Sequence, residues 1–142
     1  VVVKRFKRGK GKYHQGTFIP KNLHKYDGDY SNITYRSSWE LHVFKYFDTD
    51  DNIIKWNSEE IVIPYFDVIK GKMRKYYLDV YYKTKEGKEF FGEIKPKIKL
   101  TSRHKDQNET INIMNKAKAT IEYIKVINKE QNRNIEFIFI TD

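Results

Sequence analysis

The order of elements legible in this chain predicts one three-layer α/β domain with a mixed sheet. Three observations carry that expectation. A capped, amphipathic segment follows Ser37. Two aromatic, β-branched runs at residues 76–82 and 89–95 are joined by Lys85-Glu86-Gly87. A long segment of helical period, residues 109–130, then leads into a nearly continuous apolar run at 135–140. With 142 residues, the chain is long enough for a single core.

Residues 1–30 read as a basic, partly irregular N-terminal arm, and 31–142 as the folded domain. Lys4, Arg5, Lys7, Arg8, Lys10, Lys12, Lys21 and Lys25 all precede the first acidic residue, so most of the net charge of +9 sits in the arm. Charge asymmetry of this kind suits neutralisation of nucleic-acid phosphates. A solvated tail that aids solubility is the plainer alternative. The chain opens on Val1, which leaves its natural start open.

The first helix is expected from Ser37 or Ser38 to about Phe47. Ser37 and Glu40 have the spacing of a capping box. Trp39, Val43, Phe44, Tyr46 and Phe47 form a broad apolar face, and Glu40 falls on it. Asp48-Thr49-Asp50-Asp51-Asn52 stops the helix. Short strands are expected at 53–56 and 60–66, rich in β-branched and aromatic residues. Lys70-Gly71-Lys72 turns the chain into a strand at 76–82. Gly87 suits the left-handed position of a three-residue hairpin turn. Pro96 ends the following strand, because it donates no ladder hydrogen bond. Residues 97–108 read as a polar loop. In the second helix Met114, Ala117, Ile121, Ile124 and Ile127 form one apolar stripe. The run at 135–140 reads as a strand buried on both faces.

The hairpin carries the chemistry. Symmetric pairing about Glu86 sets Asp79 opposite Glu93, and strand alternation puts Lys95 on the same face as Glu93. Like charges directly opposite one another are destabilising, and a bound divalent cation removes that penalty. Asp79 and Glu93 are hard oxygen donors of the type Mg²⁺ prefers. A bound cation of this kind can activate water and polarise a phosphoryl oxygen. Lys95 could activate the water or stabilise phosphate charge. Glu40 is a candidate third ligand, since a carboxylate on an apolar face needs a partner; as the capping-box glutamate, it would only bond back to the backbone. The plain reading of the hairpin group is a set of exposed charges on a half-solvated strand.

Other chemistries find no support. There is no cysteine, so there is no disulfide framework or thiolate zinc site. His14, His24, His42 and His104 lack metal-ligand spacing. No Gly-x-Ser-x-Gly elbow or phosphate-binding Gly-x-x-x-x-Gly-Lys loop occurs. No apolar run approaches the roughly 20 residues of a membrane span.

In the order Glu40, Asp79, Glu93, Lys95, the chain resembles the PD-(D/E)XK nucleases, with Leu78 at the place of the usual proline. A more specific resemblance covers residues 16–142. It rests on Gly16-Thr17-Phe18-Ile19-Pro20-Lys21-Asn22, Lys25-Tyr26-Asp27-Gly28-Asp29 and Ile33-Thr34-Tyr35-Arg36-Ser37-Ser38-Trp39-Glu40. Trp56-Asn57-Ser58-Glu59, Ile63-Pro64-Tyr65, Tyr76-Tyr77-Leu78-Asp79 and Glu93-Ile94-Lys95-Pro96 continue it. In these segments the chain is similar to the head completion nucleases of tailed phages.

The resemblance implies a restriction-endonuclease-like αβα core and a nuclease domain at 31–142. It implies a metal-dependent endonuclease that hydrolyses phosphodiester bonds of double-stranded DNA. Glu40, Asp79 and Glu93 would hold Mg²⁺, or Mn²⁺ in its place, and Lys95 would be the catalytic lysine. Arg36 and Glu59 would support the structure or contact DNA. Family members act on DNA-filled heads before tail joining, which implies portal or neck proteins as partners and a place in the host cytoplasm and the virion. A junction-resolving or transposon-type endonuclease, and a non-catalytic DNA-binding plug on the same fold, are the alternatives. Resolvases cut as dimers, and the oligomeric state is not legible in the sequence.

Overall fold

The computed structural model describes the backbone of residues 2–5 and all of residues 15–142. In chain order the strands are β1 (Val2–Arg5), β2 (Gly16–Thr17), β3 (Thr34–Tyr35), β4 (Ile53–Asn57), β5 (Val62–Asp67), β6 (Lys72–Tyr77), β7 (Val80–Thr84), β8 (Glu89–Ile94) and β9 (Ile135–Thr141). The α-helices are α1 (Ser38–Thr49) and α2 (Gln107–Gln131), with short 3-10 turns at Leu23–Lys25 and Lys97–Leu100. A five-stranded sheet in the order β1-β9-β8-β7-β4 forms the middle layer. β1, β9 and β8 run parallel, while β7 is antiparallel to both β8 and β4. The sheet is therefore mixed, as expected.

Strand alternation divides the core into two halves. Val80, Tyr82, Ile94, Ile138 and Ile140 pack with Val43, Phe44 and Phe47 of α1. Tyr81, Phe91, Phe137 and Phe139 pack with Ile113, Ala117 and Ile124 of α2. The α1 side is aromatic at its centre. Trp56 has no exposed surface, and the Phe44 and Phe47 rings lie 5.3 and 5.8 Å from it, centroid to centroid. Truncation of Phe47 to alanine in such a setting costs about 3–5 kcal/mol.

Helix α1 begins as its sequence dictates. Ser37 is the N-cap, and its hydroxyl accepts from the Glu40 N–H at 3.2 Å; loss of such a cap costs about 1 kcal/mol. The C-terminal end of α1 is closed by a basic side chain that the sequence groups with the arm. Lys25 is buried, and its Nζ donates to the carbonyls of Asp48 and Asp50 at 3.0 and 2.9 Å. The Asp48 carboxylate in turn accepts from the N–H groups of Lys21 and Asn22. Phe18 and Tyr26 join the α1-side core, so the chain from Gln15 onward is fastened to the domain.

The β7–β8 hairpin has the expected symmetry. Val80 pairs with Gly92 and Lys83 with Glu89, a register centred on Glu86. Gly87 has φ +87°, and the Thr84 N–H donates to the Lys88 carbonyl at 2.8 Å. Gly92 is needed for a different reason. A Cβ there would stand 2.9 Å from Cγ2 of Val80 and 3.3 Å from Cδ1 of Ile140.

Four expectations are corrected. Residues 76–82 are not one strand. β6 ends at Tyr77 and belongs to a separate two-stranded sheet with β5, and β7 starts at Val80. Between them the Leu78 N–H donates to the Ile61 carbonyl at 2.9 Å, and the Leu78 carbonyl accepts from Glu59 at 3.0 Å. These two bonds pull the backbone off the main ladder. Second, within the arm, Val2–Arg5 forms an edge strand parallel to β9, a long-range pairing with no local signal. Third, in α2 the expected Ala117, Ile121, Ile124 and Ile127 do pack on the core, but Met114 is exposed and Ile113 and Thr120 are buried beside them. Fourth, the loop after Pro96 holds a 3-10 turn, and α2 starts earlier, at Gln107, with Asp106 accepting from the Glu109 N–H at 3.1 Å.

Candidate active site

β8 ends and β7 begins at the same end of the sheet, which is also the end where α1 starts. Each element delivers one group there. Asp79 sits in the break before β7 and is half-buried. Its Oδ2 accepts from the Ile94 N–H at 2.8 Å, so the carboxylate stands against the end of β8, as the register centred on Glu86 requires. Glu93 lies on β8 and is 1% exposed. Alternation puts it on the face of Phe91, toward α2. Lys95 continues that face just beyond β8, and its N–H donates to the Ile140 carbonyl at 3.0 Å.

Glu40 reaches the same end of the sheet from the first turn of α1, and both of its readings have support. Its Oε2 accepts from the Arg36 N–H at 3.3 Å and lies 3.4 Å from the Ser37 hydroxyl, a capping arrangement shifted by one residue. Its acidity is also coupled to the hairpin. Burial, and next the Asp79 charge, raise Glu40 to about 7, against the opposing influence of Lys95.

Glu93 is pushed up to about 8, first by burial and then by Asp79, while Lys95 and Lys116 oppose the rise. Asp79 is raised as well, mainly by burial. Burial alone would lower Lys95, but the charges of Asp79, Glu93 and Glu40 outweigh it, and Lys95 is held as an ammonium. The Glu93 Oε2 atom is buried with no hydrogen-bond partner, as are the Tyr76 hydroxyl, Asn112 Oδ1 and Asn115 Nδ2. Tyr76 itself feels the charges of both Asp79 and Glu93.

These features fit a hard divalent cation. A buried carboxylate oxygen without a donor is costly, and two like charges share the site. Among the described residues no group of three His, Asp or Glu side chains is arranged to hold an ion. Mg²⁺ keeps several waters and commonly takes one or two carboxylates, so the Asp79–Glu93 pair meets its need and Glu40 stands outside that pair.

Lys116 of α2 carries no motif in the sequence, yet it belongs to this site. It exerts its charge on both Asp79 and Glu93. Its Nζ lies 5.4 and 5.8 Å from the ring centres of Tyr76 and Tyr65. Arg36 is fastened by a two-pronged bond to Glu59, Nε to Oε1 at 2.9 Å and a second nitrogen to Oε2 at 3.1 Å. Glu59 has φ +57° and donates its N–H to Leu78; this pair therefore braces the break that holds Asp79. Of the basic residues in the arm, Lys7, Arg8, Lys10 and Lys12 lie outside the described residues, and Lys4 and Arg5 are described only as backbone of β1.

Similarity to known proteins agrees with this geometry. An enterobacteria phage T4 protein named head completion nuclease is 50% identical over 84 residues, which are 59% of this chain and 56% of that protein. The chain thus spans a little over half the length of the curated relative it matches. No solved structure matches. Residues 50–142, which hold Asp79, Glu93, Lys95 and Lys116, match the family described as TnsA-like endonuclease N terminal, and the chain is a member of that family, with its restriction-endonuclease-like fold.

Proposed function

We propose that this protein is a metal-dependent DNA endonuclease that hydrolyses phosphodiester bonds during phage head completion. The observation that carries the reading is the Asp79–Glu93 pair, with a buried Glu93 oxygen lacking any donor and a protonated lysine beside it. The half-length similarity to a head completion nuclease supports the phage setting. The family's endonuclease description supports the chemistry.

Asp79 and Glu93 would hold Mg²⁺, or Mn²⁺ in its place, and Glu40 would accept a hydrogen bond, or the proton, from the attacking water. When bound, such an ion supplies a Lewis acid that polarises a phosphoryl oxygen and makes a water more acidic. The protein's own groups do the rest. The Ile94 N–H fixes the orientation of Asp79. Lys95 offers positive charge where the phosphate gains negative charge, the kind of preorganised stabilisation that is strongest in a site with little water. Lys116 offers a second positive charge from the α2 side. Double-stranded DNA would be the substrate, portal or neck proteins the partners, and the host cytoplasm and virion the place of action.

Nicking of supercoiled plasmid in Mg²⁺ tests the reading. Asp79→Ala and Lys95→Ala are expected to abolish nicking while circular dichroism stays that of the wild type. Undiminished cleavage by both variants would remove the catalytic assignment.

A further inference from the structure

The β5–β6 hairpin is the part of the molecule that the site does not explain. Its inner face is anchored, because Ile63, Tyr65 and Tyr76 belong to the core beneath α2. Its outer face is not covered by any described residue. The cross-strand pairs Val62–Tyr77 and Phe66–Met73 lie there, with Met73 62% exposed and Phe66 53% exposed.

At the tip, Val68 and Ile69 stand side by side in solvent, 53% and 45% exposed. The tip is built to hold them there. The Asp67 carboxylate has no exposed surface, although it lies at the end of the hairpin. Its Oδ1 accepts from the N–H groups of Ile69 at 2.9 Å and Lys70 at 3.0 Å, and its Oδ2 accepts from Arg74 at 3.3 Å. The Gly71 N–H donates to the Asp67 carbonyl at 2.8 Å, with Gly71 at φ +65°. A chain that only needed a turn would put polar residues at such a tip.

We infer that this hairpin is a DNA-engaging wedge, with Val68 and Ile69 pressed between base steps from the minor groove and Lys70, Lys72 and Lys75 on the flanking phosphates. The inference rests on the reading of the protein as a DNA nuclease. Two features of the molecule choose DNA as the occupant. The exposed charges around the apolar tip are all basic, since the hairpin's one acidic side chain is buried and paired with Arg74. The hairpin also runs straight into the site, as β6 ends two residues before Asp79. Apolar wedges framed by basic residues unstack and kink duplex DNA. β6 is extended from Lys72 to Tyr77 over about 17 Å at roughly 3.3 Å per residue, and the two-residue break carries the chain on to Asp79, about 20 Å from Lys72. The wedge would therefore act about six base pairs from the scissile phosphate, at 3.4 Å per base pair.

A series of duplexes carrying 2-aminopurine at successive positions tests this in the absence of divalent ions. Wild-type protein is expected to raise the fluorescence at a position about six base pairs from the bond it cuts in Mg²⁺. The Val68→Ser, Ile69→Ser double variant changes only exposed side chains. It should lose that rise and bind about tenfold more weakly, which corresponds to roughly 1.4 kcal/mol. Lys70→Ala with Lys72→Ala should instead reduce the salt slope of binding by about two. A double tip variant that binds and unstacks DNA as the wild type does would overturn the wedge and leave the apolar face to a protein partner, as would a wild type that gives no rise at any position. The readout needs no hydrolysis. A wild type that unstacks DNA but never cuts it would overturn the nuclease reading alone, and one that cuts without unstacking would overturn the wedge alone.

Discussion

Two glutamates at opposite ends of β8 share a strand and a face, and only one of them is satisfied. Glu89 accepts from Tyr81 at 2.6 Å and from two nitrogens of Arg133 at 3.1 and 2.7 Å. The Arg133 bonds hold its pKa below the ordinary glutamate value, against the effect of burial. Glu93, four residues on, is more deeply buried, has an oxygen with no donor, and is pushed up to about 8. The same residue type on the same strand thus serves in two ways. Where the fold supplies donors, the carboxylate staples α2's end to the hairpin; where it supplies a second carboxylate instead, the fold bears a cost that only a ligand or the chemistry explains.

Exchanging the two roles gives the largest expected effect. Glu93→Gln should reduce plasmid nicking by roughly 10³-fold, while Glu89→Gln should cut DNA at nearly the wild-type rate per folded molecule. Stability should move the other way. Urea melts of the metal-free protein are expected to show Glu89→Gln about 2 kcal/mol less stable, since charge-assisted bonds to a partly exposed arginine are lost. Glu93→Gln should be no less stable than the wild type at pH 8. A destabilised Glu93→Gln would mean that Glu93 has a structural partner after all.

Lys116→Ala should slow cleavage by about tenfold, the size expected for one secondary charge near the phosphate. Single-turnover rates measure this, and an unchanged rate would confine Lys116 to its contacts with Tyr65 and Tyr76. Leu78→Pro should lower stability by about 1 kcal/mol or more, because the N–H bond to Ile61 is lost. Thermal melts would show it, and an unchanged midpoint would mean that the break before Asp79 does not depend on that bond.

The two glutamates also have opposite pH signatures. Glu93 is raised on folding, so between about 4.5 and about 8 the native protein holds a proton that the unfolded chain releases. Its contribution is full below the ordinary value and is lost as pH rises through about 8. Glu89 is lowered, so its contribution is full above the ordinary glutamate value and is lost as pH falls through the lowered one. Melts of the metal-free protein from pH 5 to 9 should therefore show stability falling from pH 5 to about 8 and levelling above it in the wild type, and falling less in Glu93→Gln. Equal slopes would contradict the assignment.

The difference between these two ends also explains what was legible in the sequence. The hairpin register follows from strand period and Gly87, both local, so the opposition of Asp79 and Glu93 could be read directly. The capping spacing of Ser37 and Glu40 was local too. The break at Leu78 was hidden, because the apolar alternation of residues 76–82 runs through it, and only the tertiary bonds to Ile61 and Glu59 divide the strand. Lys116 was hidden among the many lysines of α2, since nothing in helical period marks which one faces a site. The edge strand Val2–Arg5 pairs across almost the whole chain length and lies in a segment whose charge suggested an arm. Glu89 looked like any hairpin charge until Arg133 was brought to it.

The most direct test is a crystal soaked in Mn²⁺, measured for anomalous scattering. A peak between the carboxylates of Asp79 and Glu93, absent in Glu93→Gln crystals, is the result expected. Full Mn²⁺ occupancy elsewhere on the protein with none between these two side chains would contradict the assignment of the active site.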